Sequence, residues 1–380
     1  MTLPSWRSRS SFRAGEGPSL TAVKVTGEDG AAGDAERRGT TGMRRRRAMG
    51  LMVATAAVLA TGRPRAVPVH RFSTAALGAR VSIALYGLDD AEARRLAGSL
   101  VDELLRLEAI FTLHRPDAPL VRLAREGRLA LPPPELLEAL ALARLLYEES
   151  EGAFDPTVQP LYTTLARLAG AGELDDPLRV AHALDGAWGA VGFGRVDVTP
   201  TAVRLPPDAA LTLDGIAQGV ITDRLAASLQ RQGLGFALLD CGELRALGPP
   251  PGDEAFAVAL RSGGRLRLRD EALAVSAPAA TRFDVAGRWH HILDPRTGRP
   301  ARGIRRAVVR AETAALADGL ATALCVLEPE AGRALAARFG AWARIETVDG
   351  RIYETGTARR WRVAATMRSA ISGRRPTGPV

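Results

Sequence analysis

Between residues 195 and 348 the chain passes through seven short strand-like runs, at 195–205, 236–240, 255–261, 265–269, 282–286, 304–311 and 342–348, broken by only two helical stretches, 216–232 and 314–327. Strands that follow one another without a helix between them can pair only as hairpins, because a parallel neighbour needs a crossover of roughly a dozen residues. Upstream, residues 70–87 alternate apolar and polar around Val81, Ile83 and Leu85 and end at Gly87, the pattern of a half-buried strand. Residues 89–111 place Ala93, Leu96, Leu100, Leu104, Leu107 and Phe111 at three- and four-residue spacing behind Asp89-Asp90, as an amphipathic helix does, and a further helix is expected over 134–150. This succession argues against a doubly wound sheet. It predicts an α+β fold: a single body of mixed, largely antiparallel sheets with packed helices.

The formal charge of +9 suggests a polyanion binder until it is located along the chain. Residues 1–66 hold 12 basic and 5 acidic side chains, and six arginines with no acid follow Glu354, which leaves 67–358 with a net charge of −4. A mildly acidic body offers no electrostatic footprint for nucleic acid. Of the 51 basic residues only Lys24 is a lysine, and it lies in the leader. That excludes a Walker A loop, whose Gly-Lys must reach phosphates, and Schiff-base chemistry, which needs a lysine nucleophile. No H-E-x-x-H, G-x-S-x-G or G-x-G-x-x-G occurs, so zincin, α/β-hydrolase and simple Rossmann readings have no foundation.

Residues 1–42 are rich in Gly, Ser, Arg and acids without an apolar period. Met43 is followed by Arg44 to Arg47, an uncharged run from Ala48 to Ala60, and small residues near Val58-Leu59-Ala60. Basic start, short apolar stretch and small-residue exit are the pattern of a signal peptide over 43–66, with an apolar run too short for a bilayer span. Met43 is then the expected start, 1–42 an upstream translation artefact, 67–358 the folded domain and 359–380 a basic flexible tail. The expected location is exported and periplasmic, and the arginine run also suits the twin-arginine route. No stable membrane span is expected. No cysteine precedes Cys241, which excludes a lipid-anchored N-terminal Cys, and Cys241 and Cys325 sit in apolar sequence as expected buried thiols.

In four segments polar groups interrupt apolar or turn-like sequence. In Gly152-Ala153-Phe154-Asp155-Pro156-Thr157-Val158 an Asp-Pro turn follows a helix, and a capped turn is its plainer reading. Leu213-Asp214-Gly215-Ile216-Ala217-Gln218-Gly219 opens a helix with glycines that allow backbone to approach a ligand, or that simply pack. Trp289-His290-His291-Ile292-Leu293-Asp294-Pro295-Arg296-Thr297-Gly298-Arg299-Pro300 carries two adjacent histidines that point to opposite faces if extended, so only one can face a site. In Ala317-Asp318-Gly319-Leu320-Ala321-Thr322-Ala323, Asp318 and Thr322 share a helix face, a pairing that suits Mg²⁺ or an intrahelical hydrogen bond.

Together these segments resemble the FAD:protein FMN transferases, the ApbE family. Its signatures G-x-F-D-P-T-V, D-x-G-G-I-A-K-G, Y-x-H-I-[IL]-D-P-x-T-G-x-P and A-D-A-L-A-T-A-L occur here in order as GAFDPTV, LDGIAQG, WHHILDPRTGRP and ADGLATAL, within a likeness running from about Gly78 to about Gly356. The resemblance implies a T-fold-like, ApbE-type catalytic body that transfers FMN from FAD to a Thr or Ser hydroxyl of an acceptor flavoprotein, forming a phosphoester and releasing AMP. It implies an Mg²⁺ ion held by the Ala217 carbonyl, Asp318 and Thr322, with His291 as the base. Asp155 and Thr157 fall in the flavin-site signature, and Asp214, Gly215, Gln218, Gly242 and Glu243 complete the implied FAD-binding set, with Asp294 supporting the loop. Gln218 stands where the family has lysine, Cys241-Gly242-Glu243 replaces G-G-D, Ala118 to Ala124 replaces S-E-[IL]-x-x-L-N, and Ser276 to Ala280 replaces T-S-G-D-Y. In these departures the chain is similar to branches serving respiratory flavoproteins. A non-catalytic FAD-binding or flavin-delivery protein and an Mg²⁺-dependent FAD pyrophosphatase remain alternative readings.

Overall fold

The computed structural model describes residues 21–22, 67–260 and 263–356. The expected signal segment, and the tail that follows residue 356, lie outside the described residues. Nine strands form one sheet: β1 (Thr21–Ala22), β2 (Val69–Ala76), β3 (Ala79–Tyr86), β4 (Ala237–Asp240), β5 (Leu244–Leu247), β6 (Ala272–Ser276), β7 (Ile304–Ala311), β8 (Trp342–Thr347) and β9 (Ile352–Glu354). Their spatial order is their chain order, and every neighbouring pair is antiparallel. The sheet is thus a meander whose long connections leave one strand and return to the next, an α+β arrangement.

The longest excursion, between β3 and β4, carries α1 (Asp90–Phe111), α2 (Pro119–Glu126), α3 (Pro134–Glu149), α4 (Gln159–Ala171), α5 (Pro177–Trp188) and α6 (Ala217–Arg231). Between β7 and β8 come α7 (Ala314–Leu324) and α8 (Pro329–Arg338). Helices α2, α4, α5 and α8 are absent from the periodicity reading. Each is short, and each carries proline in its first turn, where the missing N–H costs nothing and the fixed φ favours a helix start.

Strand alternation sorts the two faces of the sheet. Leu239, Val309, Ala343 and Ile345 join α1, α3, α6 and α7 in the main core. Their neighbours Leu238, Leu273, Val308 and Trp342 turn the other way, against the ribbon Phe256–Ala259/Arg265–Leu268. A smaller core joins α4 and α5 to Leu293, Phe283 and Trp289, and this anchors the histidine-bearing connection between β6 and β7.

Three expected strands differ, the first being 195–205, which is a hairpin of Asp197–Thr199 with Ala202–Arg204 and not one strand. Residues 70–87 are a hairpin rather than one strand, turning at Leu77 and Gly78 with Ala76 opposite Ala79. Both turn residues have positive φ (55° and 71°), and the two-residue turn shifts the buried positions from even (Phe72, Ala76) to odd (Val81, Ile83, Leu85). Residues 282–286 form a loop with a single bridge, Arg282 to His290, because Asp284 accepts the Trp289 N–H (3.1 Å) and closes the chain on itself. Both cysteines are buried and free. Among the described residues no helix is long and apolar enough to cross a membrane.

Candidate functional site

Helices α6 and α7 cross closely enough that side chains of each bond the backbone of the other. A Cβ on Gly219 would stand 2.4 Å from the Ala314 carbonyl oxygen, so only glycine permits the approach. Asp223 accepts the Ala314 and Ala315 N–H groups at 2.9 Å each, capping α7 from outside. In return Asp318 Oδ2 accepts the Gly219 N–H at 3.3 Å. Sequence reasoning singled out Asp318 and Gly219 but missed Asp223, which reads as one more solvated helix acid.

Asp318 is 5% exposed, and Asp240 and Glu243, at the turn between β4 and β5, are as deeply buried. Asp223 has Arg245 at 3.5 Å, whereas among the described residues no basic side chain bears on Asp240, Glu243 or Asp318. Burial pushes the Asp318 carboxyl up to about 7, helped by the charges of Asp214 and Asp223 and opposed by the Gly219 N–H. Burial likewise raises Asp240 to about 6, against the Gly242 N–H. Glu243 is pushed well above the usual carboxylate range by burial and by the charges of Asp318 and Asp240. A buried patch of acids with no counter-charge fits a hard, oxygen-seeking cation. Among the described residues no three His, Cys, Asp or Glu side chains converge on one point, so an ion here would rest on one carboxylate plus neutral oxygens. The predicted set of Ala217, Asp318 and Thr322 has that chemistry.

Ala217 opens α6 with its N–H on the Leu213 carbonyl at 2.7 Å. Gly215 faces Thr322: a Cβ there would lie 3.1 Å from Thr322 Oγ1 and 3.3 Å from the Phe154 ring. The structure thus brings the first, second and fourth segments together. Gln218 does not project as a lysine would. Its amide lies over Gly242, whose Cβ would come within 2.5 Å of Gln218 Oε1. Asp214 is solvent-exposed, with its N–H on Thr212 Oγ1 at 3.2 Å.

The two histidines divide as their alternation requires. His290 is 6% exposed and its Nε2 meets the Ala301 carbonyl at 3.0 Å. His291 is half-buried and its Nδ1 meets the Thr281 carbonyl at 3.1 Å. A carbonyl only accepts, so Nδ1 of His291 carries the proton and Nε2 keeps its lone pair. Burial pushes His291 down to about 4, which leaves the ring uncharged at neutral pH. Thr281, which orients this ring, carries no sequence signal.

Asp155 and Thr157 are turned inward. Asp155 Oδ1 accepts the Thr157 N–H (2.7 Å) and hydroxyl (2.5 Å), Asp155 Oδ2 accepts the Phe193 N–H (3.0 Å), and Thr157 Oγ1 accepts the Gly192 N–H (2.7 Å). Their polar atoms are spent on holding the 152–158 segment to the 192–193 turn, so any contact with a ligand comes from the backbone they shape. Asp294 is similarly occupied: it accepts the Arg296 N–H (3.0 Å) and pairs with that guanidinium (2.9 Å). Beside these loops lies an open cavity of about 440 Å³, lined among others by Asp155, Trp188, Arg195, Pro295 and Arg296.

The sequence profile of the ApbE family matches residues 77–345, most of the described body. The chain belongs to the ApbE family. ApbE-family relatives include an FAD:protein FMN transferase of Rhodobacter capsulatus, 34% identical over 58% of this chain and 44% of that protein. One of Chlamydia pneumoniae is 29% identical over 51% of this chain and 63% of that protein. The chain therefore spans less than two thirds of the length of either relative. Among solved structures, the Pseudomonas stutzeri flavinyl transferase ApbE in its apo form superposes with a TM-score of 0.67 at 25% identity, covering 77% of this chain and 96% of that one. The ApbE protein of Thermotoga maritima gives 0.67 at 26%, covering 76% and 98%.

Proposed function

We propose that this chain is an exported, Mg²⁺-dependent FAD:protein FMN transferase. It would move FMN from FAD to a Thr or Ser hydroxyl of an acceptor flavoprotein. The acceptor oxygen bonds to the FMN phosphorus, the bridging P–O bond breaks, and AMP leaves with the bridging oxygen. The observation that carries this reading is the junction of α6 and α7, where buried carboxylates without a basic partner among the described residues stand in a chain whose body has no lysine. Asp318, Thr322 and the Ala217 carbonyl would hold the cation, which when bound supplies positive charge to the diphosphate. His291, uncharged and with Nε2 unprotonated, accepts the proton of the attacking hydroxyl. The Thr281 carbonyl holds that ring in place, and Gly215 leaves room for the ligand beside Thr322.

Incubation of the purified protein with FAD, Mg²⁺ and its acceptor should add the mass of FMN to the intact acceptor and release one AMP for each. FMN appearing free in solution would instead make the protein a pyrophosphatase, and tight FAD binding with no AMP would make it a binding protein. Export is read from residues 43–66, and an N-terminus of the native protein that retains them would overturn it.

A further inference from the structure

Two threonines occupy the middle of neighbouring helices and behave differently. Thr222 in α6 does what a buried helical threonine ordinarily does: its hydroxyl donates to the carbonyl four residues back, Gln218 O, at 2.7 Å. Thr322 in α7 makes no such bond among the described residues. Its Oγ1 stands 3.4 Å from Ser276 Oγ, and neither hydroxyl has another hydrogen-bond partner there. A hydroxyl pair in good contact is about 2.7–2.8 Å apart, so these two are neighbours and not satisfied partners.

Ser276 is held in that position from both sides. It ends β6 opposite Ala307 of β7, and its carbonyl accepts the Cys325 thiol at 3.4 Å, one turn beyond Thr322. Gly215 keeps the facing side open, since any Cβ there would press on Thr322. Asp318 lies one turn earlier on the same helix. Adjacent oxygen donors around one Mg²⁺ ion are about 3 Å apart, given metal–oxygen distances of about 2.0–2.1 Å. The two hydroxyls stand near that spacing, fixed by two different elements and free of other commitments.

We propose that Ser276 Oγ is a further oxygen donor of the Asp318–Thr322 cation site, so that the ion is gripped between α7 and the end of β6. This rests on the metal reading given above and extends it to a residue outside α6 and α7. The functional consequence is coupling. Ser276 leads through residues 278–280 to Thr281, which orients His291, so one short segment would join the cation to the base.

The test is Mn²⁺ binding by the purified full-length chain, followed by electron paramagnetic resonance of free Mn²⁺ and by calorimetry with Mg²⁺, both without FAD or acceptor. Ser276→Ala should weaken the affinity about tenfold or more. Ser276→Thr, which keeps the hydroxyl, should restore it to within about threefold, and the thermal midpoint of the metal-free protein should be the same in all three. Ser276→Ala with wild-type affinity, alongside Asp318→Ala that loses binding, overturns the proposal and leaves the cation site standing. Wild-type protein that binds neither ion, or Asp318→Ala that binds as well as wild type, overturns the cation site and Ser276 with it. A Ser276→Ala defect that Ser276→Thr fails to rescue counts against donation by the hydroxyl.

Discussion

The junction of α6 and α7 and the loop cluster around Asp155 both take acids out of full solvent contact, and they treat them in opposite ways. In the loop cluster each carboxylate is surrounded by donors: Asp155 accepts three hydrogen bonds and Asp294 holds both the N–H and the guanidinium of Arg296. At the junction Asp240, Glu243 and Asp318 have backbone N–H groups at best and, among the described residues, no basic side chain. A buried charge without a partner costs stability unless it binds a proton or an ion. The contrast separates acids that build the scaffold from acids kept ready for a ligand.

The largest expected effect is on the ligand-ready side. Asp318→Ala should lower FMN transfer at least about a thousandfold, several kcal/mol of barrier, as judged by acceptor mass at saturating FAD and Mg²⁺. Full activity in that variant would erase the distinction between the two regions. His291→Ala should cost about 10²–10⁴-fold in rate with the fold intact. With Mg²⁺ saturating, so that Asp318 stays ionised, and burial holding His291 near 4, the wild-type rate should be flat between about pH 6 and 8 and decline only as acid approaches about pH 4. An inflection near about 6.5, the value of an unperturbed histidine, would assign the proton transfer to a differently placed group.

Smaller effects should differ in sign between the regions. Asp155→Asn presents an NH₂ group to the Thr157 or the Phe193 N–H, and should destabilise the protein by about 1–3 kcal/mol in denaturant titration. Asp240→Asn should do the reverse. The folded Asp240 carboxyl titrates at about 6, above its ordinary 3.8. Between those values the native state holds a proton that the unfolded chain has released, so its contribution to stability falls as pH rises through that window. Asp240→Asn removes that loss and should stabilise the metal-free protein by about 1–2 kcal/mol near pH 8, with no gain near pH 3. A destabilised Asp240→Asn at pH 8 would place Asp240 among the scaffold acids.

Much of the site was legible in the sequence because its requirements are local. Asp318 and Thr322 are one helical turn apart, glycine is needed where α6 meets α7, and adjacent histidines must diverge. The pairing of acids with donors was not local. Asp155 reads as a ligand contact until Phe193, 38 positions away, is seen to donate to it. Asp240 carried a faint signal, a lone acid ending the apolar run Phe236 to Leu239, but its lack of an arginine partner among the described residues is a fact of packing. The hairpin at Leu77–Gly78 left only a change of parity in the buried positions, from Phe72 and Ala76 to Val81, Ile83 and Leu85, which a reading centred on the second strand passes over.

The sequence by itself determined the antiparallel α+β class, the removal of the net charge to the chain ends, and the lysine-free body that leaves phosphate neutralisation to other groups. These depend on order and composition, which folding cannot change. Only the tertiary structure decided that the sheet is a chain-order meander, which of the two histidines keeps a free Nε2, and that Ser276 on a strand and Thr322 on a helix share one crevice. Each of those is a distance between residues far apart in the chain, set by how helices and sheet pack and not by any spacing along the sequence.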